Sequence, residues 1–120
     1  MKFMVAIFLA VNLLSFSTTA LADFPLSAYQ KFEQQPQVAE KLDNYVIGLG
    51  RGVFWANEKL EVLGQKPLFC MPNELHLDEG LIKSLLDQEI RDPLDGKPYK
   101  ASDYIEVIML NAFQHRFPCK

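Results

Sequence analysis

The stretch from Asp43 to Cys70, DNYVIGLGRGVFWANEKLEVLGQKPLFC, limits what this chain can fold into more than any other. Val38, Leu42, Tyr45, Leu49, Val53, Ala56, Leu60 and Leu63 recur at steps of three and four. That period predicts one long amphipathic helix starting near Pro36, a residue suited to a first helical turn. Gly64 stands where a helix closes in the left-handed conformation, and Pro67 prevents its resumption. Between Tyr45 and Ala56 the only charge is Arg51, and Ile47 and Phe54 fall on the back of the stripe. A helix apolar on both sides is wrapped by others, so this one is expected at the centre of the fold.

Gly48, Gly50 and Gly52 interrupt the helix. GLGRG shares part of a phosphate-binding turn, but that fingerprint follows a strand, and no strand pattern precedes it here. Three helical glycines cost about 3 kcal/mol relative to alanines. Gly48 and Gly52 are four apart and can both lie beneath one crossing helix, whose close approach would offset part of that cost. Packing is therefore expected over phosphate binding. Trp55 lies on the same flank. Its expected role is core packing with a partner for the indole N–H, and the alternative is an exposed binding anchor. Arg51 fits either a surface charge or a partly buried partner for a carboxylate.

The first residues, MKFMVAIFLAVNLLSFSTTALA, join a positive Lys2 to an apolar run from Phe3 to Leu14. Ala20-Leu21-Ala22 fits a small-x-small cleavage site, so residues 1–22 read as a signal peptide and 23–120 as one exported domain. The run is short of the roughly 20 apolar residues a membrane span needs, which disfavours a retained anchor. Loss of Lys2, the only charge among these residues, takes the net charge from −3 to −4. A mildly acidic surface argues against nucleic acid and anionic lipid as partners. Cys70 and Cys119 are the only cysteines. In an oxidising compartment they read as one disulfide, with two buried thiols as the alternative. Closing a loop of about 50 residues contributes roughly 4 kcal/mol by chain entropy. Without a CxxC motif, and with two histidines far apart, no zinc site is expected.

The rest of the chain supplies covering helices. Asp23 to Gln35 predicts a short helix capped by Ser27, with Leu26, Tyr29 and Phe32 on one edge. Leu68 and Phe69 are expected to plug the core on either side of the bridge. Asp78 caps a helix with the stripe Leu81, Ile82, Leu85, Leu86 and Ile90. His76 reads as a turn residue. Residues 91–101, RDPLDGKPYKA, form a polar loop that either grips another protein, through Asp92, Asp95, Lys97, Tyr99 and Lys100, or merely connects two antiparallel helices. Ser102 is the expected cap of a last helix that is nearly apolar all round and crosses the glycines of the long one. His115 and Arg116 stand at its C-terminal end, where positive charge is favoured. The fold class is thus all-α: a small bundle of three main helices plus a short N-terminal one, with one disulfide.

No nucleophile–base pair, carboxylate pair or metal cluster stands at a recognisable spacing, so no enzyme and no cofactor are expected. The carboxylates look scattered at surface periodicity. A binding protein is the remaining class.

Three features carry a resemblance to a known family. They are the Gly-x-Gly-x-Gly helix with Trp55-Ala56-Asn57, the Gly-x-Lys-Pro-Leu-Phe-Cys exit ending at Cys70, and the closing Phe117-Pro118-Cys119. Over about residues 45–119 the chain resembles the Rap/Tai immunity family, exported helical proteins that neutralise type VI secretion amidase effectors. The resemblance implies a periplasmic protein, often a homodimer, that blocks the active-site groove of a peptidoglycan amidase. Many members carry a further cysteine before the glycine helix, which this chain lacks. The alternatives are a periplasmic acid-stress holdase chaperone and a non-enzymatic subunit of an envelope complex.

Overall fold

Four helices are built in chain order by the computed structural model, which describes residues 23–120: α1 (Leu26–Glu33), α2 (Pro36–Val62), α3 (Glu79–Arg91) and α4 (Ile105–Arg116). Residues 1–22, where the sequence suggests a signal peptide, lie outside the described residues. The fold is all-α, three main helices and a short first one, and among the described residues the only β pairing is an isolated bridge between Pro25 and Tyr104. Cys70 and Cys119 are joined by a disulfide with a sulfur–sulfur distance of 2.02 Å.

Local signals set most helix ends. Pro36 opens α2. Gly64 takes φ +70°, its N–H bonds to the Glu61 carbonyl, and the Gln65 N–H reaches back to the Leu60 carbonyl. Those two crossed bonds are a Schellman closure, which satisfies carbonyls the helix end would otherwise orphan. The Asp78 carboxylate accepts from the Leu81 N–H and caps α3. Two expected caps are overturned. Ser27 lies inside α1, and Ser102 stands three residues before the first residue of α4, with Tyr104 in the capping position. Neither hydroxyl is needed, because the two helix starts satisfy each other through backbone. Leu26 and Ser27 donate to the Asp103 and Ala101 carbonyls, and the Ile105 N–H donates to the Phe24 carbonyl.

The centre of the fold is α4, not α2. Ile105, Ile108, Met109 and Phe113 of α4 are fully buried, and α4 packs mainly on α3, whose Ile82 and Leu86 are equally buried. α2 is covered along one face, between Leu42 and Asn57. Its buried residues are Leu42, Val46, Ile47, Gly50 and Asn57, a face turned about one residue from the expected stripe. Beyond it Trp55 is 66 % exposed and Val62 78 % exposed, so the expected core role of Trp55 is overturned. The glycine expectation is also corrected. A Cβ at Gly48 or Gly52 would meet nothing within 4 Å, whereas at Gly50 it would fall 2.4 Å from a methyl carbon of Ile82. The notch is at the middle glycine, and α3 fills it rather than α4. Two surface ion pairs flank that crossing, Lys83 with Asp43 at 2.9 Å and Arg51 with Glu79 at 3.8 Å.

The exit from α2 is tied on both sides. Asn57 Oδ1 accepts from the Leu68 and Phe69 N–H groups, and its Nδ2 donates to the Phe69 carbonyl. The Cys70 N–H donates to the Phe117 carbonyl. Phe69 is thereby driven into the core against Phe113, with ring centroids 4.8 Å apart. Leu68, expected to plug the other side of the bridge, faces outward and is about half exposed.

Candidate binding site between α3 and α4

The loop 92–100 leaves α3 and reaches the start of α4 in a set of short turns. Asp95 Oδ1 accepts from the Lys97 N–H at 2.9 Å, and Asp103 Oδ2 from the Lys100 N–H at 2.6 Å. Asp92, Asp95, Lys97 and Lys100 point outward, as does Leu94 at 69 % exposure. Tyr99 differs from the outward grip expected of it. It turns in, and its hydroxyl donates to Glu89 Oε1 at 2.7 Å and accepts from Asn111 Nδ2 at 3.1 Å. Burial, chiefly, and the adjacent Glu89 carboxylate push the Tyr99 hydroxyl up to about 12, against an opposing bond from Asn111.

Glu89 is the residue the sequence reading missed. It is only 5 % exposed, on the buried face of α3 one turn beyond Leu85 and Leu86. Its Oε1 also meets His115 Nδ1 at 2.8 Å. An ionised carboxylate only accepts, so Nδ1 carries the hydrogen, and in neutral His115 Nε2 is left as an acceptor. Glu89 and His115 are 26 residues apart, so no motif spacing in the sequence pairs them. A signal was present: Glu89 stands at i+3, i+4 and i+7 from Leu86, Leu85 and Ile82, on the apolar stripe itself.

Beside this cluster lies a cleft of about 210 Å³. Leu85, Ala112, Pro93 and Leu94 give it apolar walls, and Gln88, Glu89 and His115 supply polar groups, with Asp92 and Arg116 of opposite charge also bordering it. An oriented imidazole can exchange a proton, but the lining includes no hydroxyl or thiol nucleophile. Among the described residues no three His, Cys, Asp or Glu side chains are grouped to hold a metal. The packing residues named from the sequence, Gly48, Gly52 and Trp55, lie on α2 and do not line this cleft.

Comparison of the chain with protein-family profiles, with curated proteins and with solved structures finds no match.

Proposed function

We propose that this chain is an exported, non-enzymatic protein that binds and occludes a type VI secretion peptidoglycan amidase effector in the periplasm. The resemblance supplies the partner class. The observation that most supports a binding role is the loop 92–100, which presents Asp92, Asp95, Lys97, Lys100 and Leu94 outward on a frame held from within by Tyr99. A loop ordered before contact loses less entropy on binding, which is how preorganised inhibitors gain affinity. The acidic net charge, −3 for the whole sequence and −4 once residues 1–22 with Lys2 are removed, suits a basic wall-binding enzyme and mainly aids the rate of encounter. The test is inhibition. Purified protein added to the amidase encoded beside it should stop cleavage of peptidoglycan, and a deletion strain should be lysed by its siblings. An uninhibited enzyme together with an unharmed deletion strain overturns the reading.

A second reading is favoured by the bare end of α2, where Trp55, Val62 and Leu63 are all more than half exposed. Such a surface suits capture of unfolded clients by a holdase. Suppression of client aggregation on acidification, with a rise in bound hydrophobic dye, is the outcome that supports it; absence of both removes it.

A further inference from the structure

We propose that the cleft between α3 and α4 is a socket for an arginine side chain of the bound protein, gripped by the open oxygen of Glu89. The inference rests on the binding role above and names the chemistry that role would use. Glu89 is more than nine-tenths buried, yet only one of its oxygens is engaged. Oε1 serves both Tyr99 and His115, and Oε2 makes no hydrogen bond within the described residues. No fully buried side-chain nitrogen or oxygen there lacks a partner. Oε2 is therefore the part of the group that stays accessible, and the cleft is the space Glu89 lines.

The ligand class follows from that acceptor and its walls. Asp92 and Arg116 are of opposite sign at the border, and the acceptor between the walls is the open carboxylate oxygen of Glu89. An anion is repelled. An apolar side chain would cover Oε2 and leave it unpaired, which costs its desolvation with nothing in return. A cation is required, and Leu85, Ala112, Pro93 and Leu94 decide which kind. An ammonium is compact and strongly hydrated, and would be stripped of water against those walls. A guanidinium is planar and weakly hydrated, lies flat on apolar surface, and donates from its edge to a carboxylate. His115 Nε2 and the Asp92 carboxylate are further acceptors for its remaining N–H groups. At roughly 30 Å³ per water, the cleft has room for about seven waters, enough for such a group and part of its stem. Leu94, at the lip and 69 % exposed, is placed to cover that stem. The source is a protein side chain rather than a free metabolite because the cleft opens beside the outward charges of the loop.

The probe is n-butylguanidinium, titrated into the purified full chain and followed by NMR, beside n-butylammonium and neutral n-butylurea. Saturable shifts confined to Leu94, Ala112 and His115 are expected, with the guanidinium bound about tenfold or more tighter than the ammonium. Glu89→Gln keeps the side-chain shape and an acceptor for Tyr99, and should weaken butylguanidinium about tenfold. Asp92→Lys, at the exposed end of α3, should weaken it severalfold. Shifts that do not saturate, or that spread over the acidic surface, overturn the socket. So does equal binding of the ammonium, or unchanged binding in a folded Glu89→Gln protein; if that variant does not fold, unchanged binding in Asp92→Lys has the same force. The titration needs no partner. Intact butylguanidinium binding with no amidase inhibition would remove the amidase assignment alone, and inhibition without butylguanidinium binding would remove the socket alone.

Discussion

Asn57 and Glu89 are the two polar side chains that the described residues bury, at 1 % and 5 % exposure, and they are buried to different ends. Every bond of Asn57 goes to backbone. It closes the turn at Leu68 and Phe69, seats Phe69 in the core and holds Cys70 beside the chain's end, where the disulfide forms. Glu89 bonds only to side chains, both of them titratable, and one of its oxygens stays open. A buried polar group saturated by backbone substitutes for secondary structure where the helix has ended. One held by side chains, with spare capacity beside a cleft, costs more than it needs to for folding alone. The first kind reports on the fold and the second on a site.

The contrast predicts unequal costs. Asn57→Ala strips the Leu68 and Phe69 N–H groups and the Phe69 carbonyl of their partners, and should cost about 3 kcal/mol in urea unfolding. A loss below about 1 kcal/mol would erase the distinction. Glu89→Ala leaves the Tyr99 O–H and the His115 Nδ1–H without their acceptor over a small cavity, at about 2 kcal/mol, while Glu89→Gln should cost under about 1 kcal/mol. If the two Glu89 variants are equally destabilised, the carboxylate is structural and the comparison fails. Tyr99→Phe should cost about 1 kcal/mol at neutral pH.

That variant also sharpens the pH response. Tyr99 and Tyr45 both have hydroxyls pushed up to about 12, Tyr45 by burial and then by its bond to Glu106. An unfolded tyrosine ionises near 10. The folded state thus holds the proton more tightly, so the stabilisation is complete below about pH 10 and is lost as pH rises toward 12. Melting temperature should fall across that window, and Tyr99→Phe should fall less steeply. The smallest expected effect lies at the bare end of α2. Trp55→Ala removes a side chain that is two-thirds exposed and should stay within about 0.5 kcal/mol of the parent in the same urea assay.

Much of this protein was legible in particular residues because the forces concerned are local. Pro36, Gly64 and Asp78 mark helix ends through φ restriction, left-handed freedom and side-chain capping, none of which needs a distant partner. Two cysteines allow only one internal pairing. Tertiary structure decided which face of α2 is covered. The helix carries apolar residues on both flanks, so period alone does not rank Leu49, Val53 and Leu60 against Val46, Ile47 and Gly50. The fit of Ile82 into Gly50 selects the second set. It also decided the caps, since backbone from Phe24 and Asp103 reached the helix starts that Ser27 and Ser102 were expected to serve. The position of Glu89 on a buried stripe could be read from α3 by itself. Its partners could not, because Tyr99 and His115 lie 10 and 26 residues away and meet it only through the packing of α4 on α3. Helix ends answer to neighbours in sequence, whereas faces and sites answer to neighbours in space.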